Sequence, residues 1–187
     1  MTDLARETVD DYGARWPGKA DNSFVARTMR AVTSRDPCDL ASVVLLAVLV
    51  GLVIATFRDY AITNDEWIQH RYGELILAYY KSGFTDRAVF ELDNLYLYGG
   101  LFDSAAILLG RLVPMDIYAL RHLLCGLIGV GGLVAAMATA RMIAGARAGL
   151  IAGTALAVCG SWYGTMFHHS KDIPLAAAMA GALYFLM

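Results

Sequence analysis

The sequence predicts an all-α polytopic membrane protein with four transmembrane helices, the fourth of them incomplete. Hydrophobic residues make up 58% of the 187 residues and charged residues only 17%. Soluble domains average about 45–50% apolar and about 25% charged residues. A helix needs roughly 20 apolar residues to cross a bilayer, and three of the four stretches without any charge are close to that length. These stretches are 40–57, 122–140, 148–170 and 173–187.

The charged residues divide the chain into a tail and a transmembrane domain. Residues 1–39 carry charges of both signs and little periodic apolar content, which predicts a disordered cytoplasmic tail. Residues 40–187 form the predicted transmembrane domain. The predicted spans are 40–57, 118–140, 150–167 and 173–187, and residues 58–117 form one long polar loop.

The fourth charge-free stretch is shorter than the others. Its 15 residues rise only about 22 Å as a helix, against a hydrocarbon core of about 30 Å. The stretch runs to Met187 without a polar flank or a helix stop. We therefore expect the chain to be the N-terminal part of a longer polytopic protein, and we expect the isolated piece to be inactive.

The loop over 58–117 carries two predicted helices at the membrane surface. In residues 64–82, apolar side chains recur at helical spacing and Gly83 follows as a stop signal. The apolar positions are Ile68, Tyr72, Leu75 and Tyr79. An amphipathic helix with Trp and Tyr next to a membrane is typical of the interface. A second short helix is predicted over 101–113, and an extended segment leading into a turn over 95–100.

Net charge and cysteine content give no support for two classes of protein, nucleic-acid-binding proteins and disulfide-rich proteins. A net charge of −2 gives no indication of a nucleic-acid partner. Three cysteines, two of them in apolar runs, do not form a disulfide framework.

The positions of the basic residues predict the orientation of the chain in the membrane. Cytoplasmic loops carry an excess of Lys and Arg, so the N-terminus and the loop after the second span are assigned to the inside. The arginines behind this assignment are Arg27, Arg30, Arg35, Arg141 and Arg147. The long loop and the connection before the fourth span then face the extracytoplasmic side of the plasma (inner) membrane.

Acidic residues lie at two places on that outer side. Asp65 and Glu66 follow the first span, and Asp172 lies in the segment HHSKDIP before the fourth. Carboxylates at a membrane boundary can act as general bases or metal ligands. The same residues also fit helix caps, because Thr63 and Glu66 have capping-box spacing and Asp172 precedes Pro174. Spacing alone leaves both interpretations open.

The order of these motifs resembles that of a known enzyme family. The motifs are the acidic pair after span one, the interfacial helix, the turn YGGLFD, the segment YALRH that opens span two, and KDIP before span four. This order is similar to that of GT-C-fold membrane glycosyltransferases, the protein O-mannosyltransferase-like enzymes that depend on a phospholipid sugar carrier. The resemblance covers residues 58–187, the N-terminal part of that fold.

The resemblance implies a role for each acidic residue. Asp65 would be the catalytic base that takes the proton from an acceptor hydroxyl, and Glu66 would help to position the acceptor. Asp172 would be the second catalytic acidic residue. A polyprenyl phosphate is already a good leaving group, so such an enzyme needs a base and positive charge on the departing phosphate.

Three further residues are candidates for substrate binding. Lys171 and Arg121 could supply the positive charge on the phosphate. Arg121 could equally be an arginine that snorkels at the head of span two, and Lys171 an ordinary interfacial lysine. His70 lies one turn after Glu66 and could orient that carboxylate, or it could be a simple surface residue.

The implied partners are a polyprenyl-phosphate sugar donor, membrane lipid, and a protein, lipid or glycan acceptor. One of the adjacent histidines His168 and His169 could join Asp172 and the loop acids on a divalent metal ion, or both could be interfacial polar residues. The alternative functions are a polytopic transporter, in which intramembrane charges mark a substrate path, and a non-catalytic membrane subunit.

Overall fold

The computed structural model describes residues 36–187, and this part of the chain contains helices and turns but no strand. Two 3-10 turns, Ala88–Phe90 and Leu95–Leu97, lie between the second and third α-helices. The α-helices are α1 (Pro37–Thr56), α2 (Asn64–Lys81), α3 (Leu101–Gly110), α4 (Ile117–Ala144), α5 (Ala146–Ala157), α6 (Gly160–Tyr163) and α7 (Asp172–Leu186). The prediction of an all-helical chain is confirmed for these residues.

Helix α4 is the centre of the packing, because it contacts α1, α3, α5 and α7. The main core combines α1, α4, α7 and the turns before α7, with Val53, Leu133 and Phe167 almost completely buried. A second, smaller apolar cluster joins α2 to the 3-10 turns around Tyr72 and Val89. The loop between α1 and α4 is therefore a packed structure that rests on the helical bundle.

Two of the four predicted spans have the length that a membrane crossing requires. Helices α1 and α4 have 20 and 28 residues and are long and apolar enough to cross a membrane. Helices α5 and α7 have 12 and 15 residues, fewer than the roughly 20 that a span needs.

The predicted continuous helix over 150–167 is wrong. Helix α5 ends at Ala157, and the chain then forms short α6 and a series of turns. Tertiary packing explains the break, because it returns Met166 and Phe167 to the core. Two glycines of α4 provide the space for them: a Cβ added at Gly129 would lie 2.8 Å from the Cβ of Met166, and one at Gly126 would lie 3.3 Å from the ring of Phe167.

The two helices predicted within the loop are confirmed as helices, with shifted ends. Helix α2 ends one residue earlier than predicted, and Gly83 follows with a φ of +64°, a conformation that glycine adopts without strain. Helix α3 ends at Gly110 rather than at residue 113. The segment predicted as extended over 95–100 is instead a 3-10 turn followed by an extended Tyr98.

The first helix begins inside the predicted tail. The backbone N–H of Cys38 donates to the Asp36 carboxylate at 2.8 Å, and Pro37 occupies the first turn, where its missing N–H costs nothing. Residues 36–39 therefore cap and start α1. The remainder of the predicted disordered tail, residues 1–35, lies outside the described residues.

Candidate functional site

Asp65 and Lys171 come together although 106 positions separate them in the sequence. Asp65 lies in the first turn of α2, and Lys171 is the last residue before α7. The ammonium of Lys171 lies 3.5 Å from the Asp65 carboxylate, whose side chain is 72% exposed. Both residues line a polar pocket of about 250 Å³. Its other lining residues are Thr63, Asn64, Gln69, His168, His169 and Ser170.

Lys171 also lines a second, apolar cavity of about 620 Å³. Tyr98, Phe102 and the aliphatic side chains of α3, α4 and α7 form most of its wall. The Lys171 ammonium lies 5.5 Å from the centre of the Tyr98 ring. Lys171 therefore stands where an apolar cavity and a polar pocket meet, with an exposed carboxylate beside it.

Asp172 lies at the rim of the apolar cavity. Its carboxylate contacts His169 Nδ1 at 3.3 Å, and its side chain is 62% exposed. Helix α7 begins at Asp172, Lys171 occupies the N-cap position, and no side chain caps the helix. The alternative interpretation of Asp172 as an N-cap is therefore wrong, although its charge still favours the positive end of the helix.

Glu66 is buried, in contrast to its neighbour Asp65. Its Oε1 lies 2.7 Å from Nε2 of His122, and its Oε2 accepts hydrogen bonds from the Thr63 backbone N–H at 2.7 Å and hydroxyl at 3.2 Å. The predicted capping box of α2 is therefore confirmed. The Glu66 side chain is 1% exposed, so its carboxylate is fully occupied within the protein.

His122 connects three elements through its two ring nitrogens. Nδ1 lies 3.2 Å from the carbonyl oxygen of Phe57, just after α1, and Nε2 faces Glu66 on α2. A carbonyl and a carboxylate are both acceptors, so an N–H on either ring nitrogen can donate to the group that it faces. Burial by itself would raise the pKa of Glu66, but the hydrogen bonds from His122 and Thr63 outweigh it and lower this pKa.

Arg121 forms a second buried network next to the first. Its Nη2 donates to the Asp103 carboxylate at 2.7 Å and to the Ser170 hydroxyl at 2.9 Å, and both charged side chains are 1% exposed. Burial raises the pKa of Asp103, and the positive charge of Arg121 opposes that rise. The Phe102 ring lies 5.3 Å from the guanidinium carbon, within the range of a cation–π contact.

Two residues that the sequence predicted as substrate-binding, Arg121 and His70, have other partners in the structure than expected. Arg121 does not snorkel at the membrane surface, because it is buried against Asp103. His70 does not reach Glu66, because His122 occupies that carboxylate; His70 instead lies 3.8 Å from Glu74. The predicted contact between His70 and Glu66 is therefore wrong.

Sequence reasoning missed His122, Asp103 and Ser170. One signal was present: Asp103 interrupts an otherwise apolar stretch, and a buried charge requires a partner of opposite sign. Within residues 36–187, no group of three or more His, Cys, Asp or Glu side chains could hold a metal ion.

The buried Glu66 pair makes stability sensitive to acid. Because the pKa of Glu66 in the folded protein lies below its ordinary value of 4.5, its stabilising contribution is complete above that value and is lost as the pH falls through the lowered pKa. We expect the unfolding temperature of the wild type to fall more steeply than that of Glu66→Gln between about pH 5 and about pH 3. Thermal unfolding in a mild detergent measures both curves, and parallel curves would contradict this prediction.

No family model, no curated protein and no solved structure matches the chain.

Proposed function

We propose that this chain belongs to an integral-membrane glycosyltransferase that transfers a sugar from a polyprenyl-phosphate donor to an acceptor hydroxyl at the extracytoplasmic face. One observation carries the proposal: Lys171 stands between an apolar cavity and a polar pocket, 3.5 Å from the exposed carboxylate of Asp65. The resemblance of the motif order to GT-C enzymes supports the same assignment.

The two cavities suit the two ends of such a donor. An isoprenoid chain would lie in the apolar cavity of about 620 Å³ along Phe102, Leu124 and Leu175. The phosphate would bind Lys171, since an ammonium forms strong charge-assisted hydrogen bonds with phosphate oxygens. The sugar and the acceptor hydroxyl would lie in the adjacent polar pocket, which contains Asp65.

Each protein group has one task in the proposed reaction. Asp65 takes the proton of the acceptor hydroxyl, and the acceptor oxygen forms a bond to the anomeric carbon of the sugar. The bond between that carbon and the phosphate oxygen breaks, and its electron pair remains on the phosphate, where Lys171 balances the charge. The products are the glycosylated acceptor, polyprenyl phosphate and a protonated Asp65, and a single displacement of this kind inverts the anomeric centre.

The remaining predicted site residues stand around this pair. Asp172 at the cavity rim would bind a hydroxyl group of the sugar or of the acceptor. Arg121 would act on the site through Ser170 rather than by contact with the phosphate. The proposed steps use protein groups alone.

A lipid environment is part of the proposal. Five large aliphatic side chains of α1 are more than half exposed, and a row of this kind is typical of a surface covered by lipid or by another protein. They are Leu40, Val43, Val44, Val48 and Ile54. With the N-terminus inside the cell, the pocket of Asp65 and Lys171 opens to the extracytoplasmic side of the plasma (inner) membrane.

Binding of the donor phosphate tests the role of Lys171 directly. We expect Lys171→Ala to reduce labelling by a photoactivatable polyprenyl phosphate by about 10-fold or more, because a hydrogen bond to a charged group contributes about 1.5–3 kcal/mol. The exposed Lys81 at the end of α2 provides the matched control, and Lys81→Ala should leave labelling unchanged.

Three competitors identify which part of the donor is bound. Unlabelled polyprenyl phosphate should displace the probe, whereas inorganic phosphate and the uncharged polyprenol should compete weakly, because each occupies only one of the two cavities. Equal labelling of Lys171→Ala and the wild type would contradict the proposed donor site.

A further inference from the structure

Two adjacent residues of α4 hold the two chain segments that form the candidate site. His122 contacts Glu66, the neighbour of Asp65, at 2.7 Å. Arg121 contacts Ser170, the neighbour of Lys171, at 2.9 Å. Successive residues on a helix point about 100° apart, so one turn of α4 can contact both segments at the same time.

We infer that Arg121 and His122 are positioning residues, which place Asp65 beside Lys171 through Glu66 and Ser170. The inference rests on the proposed function for its catalytic meaning, but the arrangement can be tested without any activity. Neither Arg121 nor His122 lines the polar pocket or the apolar cavity, so both act on the site through other residues.

The contacts of Glu66 fix the rotation of α2 about its axis. Both carboxylate oxygens are occupied, one by His122 and the other by Thr63, so the first turn of α2 is tied to α4. His122 is tied in turn to the end of α1 through the carbonyl oxygen of Phe57. With Glu66 directed inward, Asp65 on the same turn points into the polar pocket.

Ser170 plays the corresponding role for Lys171. The segment 164–171 consists mostly of turns, and its backbone hydrogen bonds join residues at most four positions apart, so they do not tie it to α4. Ser170 is 4% exposed, and its hydroxyl accepts from an arginine that Asp103 already holds. Both bonds use Nη2 of Arg121, while Nε and Nη1 have no hydrogen-bond partner among the described residues. The charge-assisted bond from Nη2 to Ser170 restricts where the adjacent Lys171 lies.

This assignment gives Glu66 a different role from the acceptor contact that the family resemblance implies. A carboxylate that is 1% exposed and bonded at both oxygens does not face an acceptor. Glu66→Gln keeps this arrangement, because the glutamine amide can donate to a neutral His122 while its oxygen accepts from Thr63. A positioning role predicts that Glu66→Gln leaves the KM for the acceptor unchanged, whereas an acceptor contact predicts a higher KM for the acceptor.

Cross-linking measures the position of the two segments without any catalysis. The chain has three cysteines, and in a variant that lacks them, Asp65→Cys and Lys171→Cys are joined by a short bismaleimide. We expect His122→Ala and Arg121→Ala to slow cross-linking several-fold. Arg141→Ala is the matched control, because Arg141 lies on the same helix and forms an exposed ion pair with Asp39; its cross-linking rate should stay unchanged.

A milder variant keeps the test decisive if the larger substitutions fail to fold. Ser170→Ala removes only the hydroxyl that accepts from Arg121, and we expect it to slow cross-linking as well. Glu66→Gln should cross-link at the rate of the parent chain. Parent-like rates for Ser170→Ala, and for whichever of His122→Ala and Arg121→Ala fold, would overturn the inference.

Kinetics of the protein that the gene encodes complete the test. We expect His122→Ala to lower kcat by about 10²-fold, the effect of a misplacement of about 1 Å, with little change in the KM of donor or acceptor. A raised acceptor KM in Glu66→Gln would overturn the positioning role of Glu66. A wild type that transfers no sugar would contradict the proposed function, while the cross-linking result would still decide whether Arg121 and His122 hold the two segments.

Discussion

Replacing Asp65 by asparagine is expected to reduce sugar transfer by about 10²–10⁴-fold, the contribution of a positioned general base. Asparagine has nearly the same shape but cannot accept the proton of the acceptor hydroxyl. The measurement is the transfer of a labelled sugar from a polyprenyl-phosphate donor by the protein that the gene encodes, assayed in membranes. Donor binding should remain intact, because the substitution leaves Lys171 in place.

Variants of two other aspartates show whether the loss of transfer in Asp65→Asn comes from the missing base or merely from the missing negative charge. Asp59 is an exposed residue of the same loop outside both cavities, and Asp59→Asn should retain full transfer. Asp172→Asn should have a smaller effect than Asp65→Asn, because Asp172 lies at the rim of the apolar cavity rather than in the polar pocket. Full transfer by Asp65→Asn would remove the base from the proposed reaction and favour a non-catalytic subunit or a transporter.

Local patterns in the sequence predicted the elements that local interactions determine. The capping box of Thr63 and Glu66, the apolar face of α2 and the helix stop at Gly83 involve residues a few positions apart, so their spacing contains the necessary information. The charge-free stretches 40–57 and 122–140 predicted where α1 and α4 lie, although α1 begins earlier, at Pro37, and α4 extends from Ile117 to Ala144. The meeting of Asp65 and Lys171 is consistent with both lying on the same predicted side of the membrane.

Contacts between distant residues could not be predicted in the same way. His70 has the right helical spacing to reach Glu66, but His122 reaches that carboxylate from another helix at 2.7 Å, and His70 lies near Glu74 instead. The break after Ala157 depends on the glycines of α4 that accommodate the returning chain, and glycines in an apolar stretch look the same whether or not a neighbour fills the space. Charge in apolar surroundings, as at Asp103, is the one sequence signal that indicates such a contact.

The largest effect on stability is expected from Asp103→Ala. This substitution leaves the guanidinium of Arg121 buried without its carboxylate partner, and breaking a buried ion pair costs about 3–5 kcal/mol. Unfolding in a mild detergent measures the loss. Arg141→Ala breaks an ion pair on the same helix in which Arg141 is 57% exposed, and exposed pairs contribute at most about 1 kcal/mol.

A double variant distinguishes the contribution of the Asp103–Arg121 pair to stability from its contribution to the position of Ser170. Replacing Asp103 by leucine and Arg121 by methionine removes both charges together, and a buried pair replaced by apolar residues is often neutral or stabilising. We therefore expect the double variant to recover most of the stability that Asp103→Ala loses, yet to transfer sugar poorly, because Ser170 no longer has its arginine. If the double variant regained stability and transfer alike, the buried pair would serve the fold alone. If Asp103→Ala lowered the free energy of unfolding no more than Arg141→Ala does, burial of the Arg121 charge would not require the Asp103 carboxylate.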